Sequence, residues 1–372
     1  MPRVLIDAAA VPADRGALIR YVDGLVAGLD RAGADVAVVC QRSEAERYRS
    51  LAPSAHVIAG PVAITNRAAR LAWEQTGLPL LARKAGADVI HAPYYSIPLG
   101  SGLPTVVTVH DATWFTEPDE HRPRASFFRS ATRTAVRHAR RVIVPSKATR
   151  DELVRVLAAD PTRVDVAYHG VDLTQFHPPS EEEIRRAALR CGLHGQPYVA
   201  FLGALDPRKN VPNLVRGFAS AVKTLERPPA LVIGGGGMHD DDVDAACREV
   251  EATVKVVRPG YLGASDLPGF LGGALVVAFP SRGEGFGLPV LEAMACGAPV
   301  LTTQRSSLPE VGGDAVAYTE PDADSIAAAL GQLLAAPARR RRLREAGLAR
   351  AREFTWDASA EAHLSSYQRA IE

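Results

Sequence analysis

The sequence predicts an α/β protein built from two successive doubly wound domains, each a parallel sheet covered by helices, and three observations lead there. Short runs rich in β-branched residues alternate along the whole chain with longer Ala/Arg/Leu-rich stretches of helical period. The runs are apolar throughout, which is what strands buried on both faces require. The alternation pauses once, at His177-Pro178-Pro179-Ser180, and then resumes. A chain of 372 residues is long enough for two such units.

In the first half the expected strands are Val4–Asp7, Val36–Cys40, Val57–Ile58, Val89–His91, Thr105–His110, Val142–Pro145 and Val164–Ala167, with helices such as Leu18–Arg31 and Ala125–Arg140 between them. After the pause, Ser180 is placed to cap a helix opened by Glu181-Glu182-Glu183, with Glu183 at its third position. Six further strands follow: Tyr198–Leu202, Ala230–Ile233, Val254–Val257, Ala274–Phe279, Pro299–Thr302 and Ala315–Tyr318. The expected domains are 1–178 and 179–355. Ligands of such folds sit beyond the carboxyl ends of strands, so the loops there are where chemistry is sought.

Composition narrows the function. At 47% hydrophobic and 23% charged residues the chain is globular, not disordered. Lys plus Arg is 43 against Asp plus Glu 42, a net charge of +1, so the one-signed field of a nucleic-acid binder is missing. Only five of the basic residues are lysine, so a lysine in a special place says more than an arginine. Cys40, Cys191, Cys247 and Cys296 are scattered, without C-x-x-C or zinc spacing, which points to a reducing compartment. The start, Met1 to Asp7, meets an acid after three apolar residues, too short for a signal-peptide core. The longest near-apolar run, Gly269 to Pro280, falls short of the ~20 residues of a membrane span. A cytoplasmic location is expected, with any membrane contact peripheral.

A dinucleotide enzyme would carry G-x-G-x-x-G after a strand. Ala8-Ala9-Ala10-Val11-Pro12 cannot supply it, and Gly234-Gly235-Gly236-Gly237-Met238-His239 has His239 at the third glycine position. The informative stretch runs from Phe279 to Pro299. A strand ends at Pro280, a glycine-rich turn holds Glu284, and a helix over Leu288–Ala295 carries Glu292, eight positions on. A helix N-terminus preceded by glycines offers free N–H groups and a positive dipole end, a cradle for phosphate. Two carboxylates beside it can accept hydrogen bonds from sugar hydroxyls.

That segment resembles the Glu-x7-Glu motif of retaining glycosyltransferases of the GT-B fold, family 4 (group 1). The resemblance extends through nearly the whole chain: Arg15-Gly16 to Arg20-Tyr21, His110-Asp111, Pro145-Ser146 to Leu153, Tyr168-His169-Gly170-Val171-Asp172 with Phe176, Gly203 to Arg208-Lys209-Asn210, and Ser307-Leu308-Pro309-Glu310-Val311. It implies two Rossmann-like domains facing a central cleft, the first binding acceptor and the second nucleotide sugar. It also implies a C-terminal helix, 356–372, packed back on the first domain. The implied reaction is retaining, metal-independent transfer of a hexosyl group from a GDP-mannose or UDP-glucose type donor to a hydroxyl acceptor. No cofactor is implied beyond the nucleotide-diphosphate sugar as co-substrate.

By similarity, Arg208 and Lys209 hold the diphosphate, Glu284 faces the transferred sugar and Glu292 holds the ribose. Gly285, Phe286, Gly287 and Leu288 present backbone N–H groups, Gly203 and Gly16 let backbone approach the donor, and His110 contacts the sugar near the reacting carbon. The family's further glycines after Gly16 are Ala17 and Ile19 here, a departure on the acceptor side. Two other readings remain open: a catalytically silent nucleotide-sugar-binding partner subunit, and a GT-B epimerase or phosphorylase. Asp242-Val243-Asp244 imitates a metal-binding Asp-x-Asp but lies in an acid-rich helix start, so no metal is expected. Arg129, Arg133, Arg137 and Arg141 recur every four positions beside Phe127 and Phe128. Such a stripe is either a solvated or packing face, the reading the arginine-rich composition favours, or a contact for an anionic membrane surface.

Overall fold

The computed structural model describes residues 1–11, 16–116, 125–235 and 241–372. They form two compact units, Met1–Gly170 with Phe354–Glu372, and Val171–Glu353. The sequence had placed the first boundary at 178/179. Residues 177–179 instead serve the second unit, where Pro179 packs on Gly272 and the His177 backbone bonds the Cys296 thiol.

The first unit's parallel sheet has seven strands: β1 (Val4–Asp7), β2 (Val36–Cys40), β3 (His56–Ala59), β4 (Val89–Ala92), β5 (Thr105–Thr108), β6 (Arg141–Val144) and β7 (Val164–Val166), in the order β3-β2-β1-β4-β5-β6-β7. Alternate residues of one strand enter different cores. Val4, Ile6, Val36 and Val38 pack with Val22, Leu25 and Leu29 of the helix Ala17–Arg31, whereas Leu5, Ala37 and Val39 pack with Leu78 and Ala82 of the helix Arg67–Lys84. Both faces are covered, so no position in these strands has to be polar.

The helix Trp356–Ile371 completes this unit. Trp356, Ala360, Tyr367 and Ala370 join the core built on β1 and Ala17–Arg31. The indole lies so close that a Cβ at Gly24 would stand 2.1 Å from it. Glycine is the residue that admits a ring at that range.

The second sheet comprises β8 (Tyr198–Leu202), β9 (Ala230–Gly234), β10 (Val256–Gly260), β11 (Val276–Phe279), β12 (Val300–Thr303) and β13 (Ala317–Thr319), all parallel, ordered β10-β9-β8-β11-β12-β13. Its order reverses between β8 and β11, the switch point where such sheets open a crevice at the strands' carboxyl ends. Ser180 and Glu183 form the expected capping box on the helix Glu181–Arg190. Among the described residues no helix is long and apolar enough to cross a membrane.

Candidate active site

Two loops meet at the switch point of the second unit. One leaves β8 through Gly203, turns at Pro207–Lys209 and enters the helix Val211–Val222 at Asn210, whose φ is +61°. The Asn210 amide donates to the carbonyls of Pro280 (3.2 Å) and Pro321 (2.6 Å), tying this loop to the one after β11. The other loop, Pro280 to Gly287, is pinned at both ends. Thr303 donates to the Ser281 carbonyl at 2.5 Å, and the Ser307 hydroxyl lies 2.9 and 2.7 Å from the carbonyls of Glu284 and Phe286.

These ties bring together three residues singled out from the sequence, 75 positions apart. Lys209 Nζ donates to Glu284 Oε1 at 2.5 Å and Arg208 Nη1 to Oε2 at 2.9 Å, while the Ser281 hydroxyl donates to Oε1 at 2.6 Å. Arg208 also donates to the Gly283 carbonyl, and Lys209 lies 4.9 Å from the centre of the Phe279 ring. Burial opposes ionisation of Glu284, but the two cations and the hydrogen bonds outweigh it and hold its carboxyl at about 2. Lys209, buried beside a second cation, is drawn below the usual lysine range, with its bond to Glu284 pulling the other way. The pair is ionised, and the two cations face the buried Glu284 on one side and the half-exposed Asp206, 3.9 Å from Arg208, on the other.

Gly287 caps the helix Leu288–Ala295 with φ +108° and no side chain to satisfy the first-turn N–H groups. The helix has the bounds expected of it, and Glu292 sits in its second turn, 1% exposed. Gly285, Phe286 and Leu288 are buried in the same turn. Gly203 meets a second glycine loop: at Gly235, φ +132°, a Cβ would lie 2.0 Å from the Gly203 carbonyl oxygen. That approach brings the ends of β8 and β9 together beside Arg208. The rest of the glycine run, 236–239, lies outside the described residues.

In the first unit β5 ends at Thr108, so His110 stands two residues beyond it instead of closing the strand. Its Nε2 is 2.8 Å from the Pro93 carbonyl, which can only accept, so Nε2 carries the proton and Nδ1 is left as an acceptor. Burial lowers the His110 pKa, making the neutral ring the stable form. Tyr21 meets that ring edge-on with centroids 4.9 Å apart.

Tyr21 belongs to a chain of hydrogen bonds that the sequence did not reveal. His363 Nδ1 donates to Ser359 O at 2.7 Å, so its Nε2 accepts from Tyr21 at 2.9 Å. Tyr21 in turn accepts from Thr108 (2.7 Å), Thr108 from His91 Nε2 (2.8 Å), and His91 Nδ1 from Tyr367 (2.8 Å). One polarity satisfies every atom of the chain, provided both imidazoles are neutral. Burial does keep them so, lowering His91 well below the ordinary value and His363 to about 4. Tyr168-His169-Gly170 was the available signal, since His169 packs on Tyr21 at 4.7 Å, but spacing alone gave no partner.

Other expected features fall elsewhere. Gly16 caps the helix Ala17–Arg31 at an exposed position where a Cβ would meet nothing within 4 Å, and Arg15 lies outside the described residues. Arg129, Arg133 and Arg137 do share the helix Ala125–His138, with Arg133 over the Phe115 ring at 5.1 Å. Arg141 does not: the helix stops at His138, and Arg141 opens β6 and pairs with Asp165 at 2.6 Å. Asp242 and Asp244 lie in the first turn of the helix Asp241–Val250, and Asp244 pairs with Arg258. Among the described residues no group of three or more His, Cys, Asp or Glu is disposed to hold a metal ion.

Comparison with known proteins agrees with this arrangement. Residues 190–350 match the family described as Glycosyl transferases group 1, and residues 19–175 match Glycosyltransferase Family 4. The O-antigen chain mannosyltransferase B of Escherichia coli is 29% identical over 283 residues, covering 75% of this chain and 74% of that protein. A D-inositol 3-phosphate glycosyltransferase of Actinosynnema mirum is 31% identical over 405 residues, covering 96% and 93%. In structure the chain is similar to Anabaena HepE in complex with UDP and glucose, with TM-score 0.78, 16% identity, and coverage of 99% and 100%. The two parallel-sheet units are therefore those of the GT-B fold.

Proposed function

The chain belongs to glycosyltransferase family 4, group 1, and on that premise we propose that this glycosyltransferase moves a hexosyl group from a nucleotide-diphosphate sugar to a hydroxyl acceptor with retention. The observation that carries the proposal is the Arg208–Lys209–Glu284 trio beside the glycine-capped helix Leu288–Ala295. As the donor's bond to the sugar breaks, charge gathers on the diphosphate. Arg208, Lys209 and the helix N-terminus are fixed dipoles and cations aimed at such charge. With them in place, we assign the reaction no metal and no cofactor.

In this reading Glu284 holds both cations in register and turns toward the transferred sugar, and Glu292 takes the ribose. Gly203, Gly285, Phe286, Gly287 and Leu288 bring backbone to the donor, with Gly16 assigned the same task from the first unit. His110, whose Nε2–H is committed to Pro93, has Nδ1 to accept from a sugar hydroxyl. Carbon–oxygen cleavage releases the diphosphate, the acceptor oxygen bonds the same face of the sugar carbon, and the acceptor's proton passes to the departing phosphate oxygen.

Two relatives bear on the donor: the Escherichia coli protein is named a mannosyltransferase, and HepE was solved with UDP and glucose. We take a GDP-mannose or UDP-glucose type donor as the reading they favour, used in the cytoplasm with any membrane contact through Arg129, Arg133 and Arg137. The test is calorimetric binding of UDP, GDP, dTDP, ADP and NAD, with and without EDTA, followed by NMR of the product anomer. Binding of one diphosphate unaffected by EDTA, and a retained anomer, are expected. A clear NAD signal, or no diphosphate binding, overturns the reading.

A further inference from the structure

The arginine-rich composition hides one cluster that is not a solvated face. At the amino-terminal ends of β5, β6 and β7 the first unit has an open concavity of about 650 Å³. Into it come Arg140, Arg141, Arg163 and Arg369, with His138 at its edge, and no residue that lines it is acidic. For a chain of net charge +1 that is a strong local asymmetry.

The arginines differ in their commitments. Arg141 and Arg369 share Asp165, which lies behind the lining, at 2.6 and 2.8 Å, so together they leave one positive charge. Arg163 donates to the Ala139 carbonyl. Arg140 is exposed and makes no ion pair or side-chain hydrogen bond among the described residues. One wall is apolar: Ile97 and Pro98 lead to Leu99, which is 58% exposed. All of this lies at the end of the sheet opposite the carboxyl ends, so it is no part of the crevice where a doubly wound fold places its substrates.

We propose that this concavity binds a phosphate-bearing ligand, with Arg140 and Arg163 as its anion contacts and Leu99 beside its less polar portion. Guanidinium forks match phosphate oxygens in pairs, and several converging on one hollow suit a phosphate better than a single carboxylate. The volume is that of a site for a small organic phosphate or a lipid headgroup. It is independent of the donor site and stands or falls separately from it.

The test uses the full chain, its Arg140→Glu variant and its Arg140→Lys variant, each titrated calorimetrically with inorganic pyrophosphate at constant ionic strength. Pyrophosphate taken up by Arg208 and Lys209 is common to all three proteins and cancels in the comparison. The expected result is a binding event weakened about tenfold or more in Arg140→Glu and less than about threefold in Arg140→Lys, with ligand-free melting temperatures unchanged. A second arm sediments the proteins with phosphatidylcholine vesicles with and without phosphatidylglycerol. Retention by the anionic vesicles that Arg140→Glu abolishes identifies a lipid headgroup as the source, whereas the pyrophosphate event without retention identifies a soluble phosphate. If the wild type and Arg140→Glu behave alike in both arms, the proposal is wrong.

Discussion

The second unit buries its polar chemistry charged, and the first unit buries its own neutral. Glu284 stays ionised because Arg208 and Lys209 touch it. His91, His110, His169 and His363 are crowded together, and burial, the largest cause, pulls all four below the ordinary imidazole value. Burial also works against the charge of two acids of the same unit, raising Asp7 to about 6 and, together with Asp7, Glu74 to about 7. An interior keeps a charge only where a counter-charge is in hydrogen-bond contact; elsewhere it selects the neutral form. The second unit thus holds prepositioned cations, and the first an array of uncharged hydrogen-bond donors and acceptors.

Removing the counter-charge breaks the contrast most severely. Glu284→Gln leaves the buried Lys209 without its contacting carboxylate, with only the half-exposed Asp206 remaining near Arg208, and breaking a buried pair this way costs about 3–5 kcal/mol. The loss should appear in the second unit's calorimetric transition, while transfer activity falls by a factor on the order of 100 to 1,000. A variant that melts and turns over like the wild type would show that the trio does not act as a unit.

Acid should separate the two units by a smaller margin. Unfolded histidines take protons as pH falls through the ordinary imidazole value of 6.5, and the buried ones refuse them, His363 down to about 4. Over that window the unfolded state binds more protons, so the first unit loses stability as pH drops. Asp7 and Glu74 act in the opposite sense, since the folded unit holds their protons up to about 6 and about 7, and Glu152, which burial also raises, acts with them, but they are three against four. Each uncompensated proton is worth about 1.4 kcal/mol per pH unit. Glu284 behaves differently: its contribution is whole above the ordinary glutamate value of 4.5 and is lost as pH falls toward about 2. Trp73, Trp114 and Trp356 all lie in the first unit, so their emission reports it alone, while far-UV circular dichroism reports both units. The emission change should come at higher pH than the remainder of the dichroism change, and coincident transitions would erase the distinction.

The smallest change sharpens the charged side of the comparison. Ser281→Ala removes the hydroxyl 2.6 Å from Glu284 and leaves the cations in place. A hydrogen bond to a charged group is worth about 1.5–3 kcal/mol, so activity should drop roughly tenfold and the acid limb of its pH profile should move upward. An unshifted limb would mean that the cations alone set the state of Glu284.

What the sequence revealed follows from the same physics. The central strands, such as Val4–Asp7, Val36–Cys40, Tyr198–Leu202 and Val276–Phe279, were visible because both their faces are buried, leaving unbroken apolar runs, whereas the bounds of the half-exposed β3 and β10 were read less closely. Leu288–Ala295 and the Ser180–Glu183 box were visible because caps and breakers are local. Arg141 was misplaced because a four-residue spacing continues through a helix end that burial of Ala139 and the start of β6 decide. The sequence brought Arg208, Lys209 and Glu284 to attention, but their mutual contact spans 75 positions, and Ser281 was too ordinary a residue to notice. The His91–Thr108–Tyr21–His363 chain was hidden most deeply, since its members come from three strand and helix elements and the final helix.

That final helix also sets a timetable for synthesis. Trp356, Ala360 and Tyr367 fill the core around β1 and Ala17–Arg31, and these residues are translated only after the whole of Val171–Glu353. The amino-terminal unit, although translated first, emerges with that face of its interior open to water. Val171–Glu353 is continuous in the chain and has everything it needs sooner. The usual order of vectorial folding is reversed, and the unit begun first closes that face only after the second has been made.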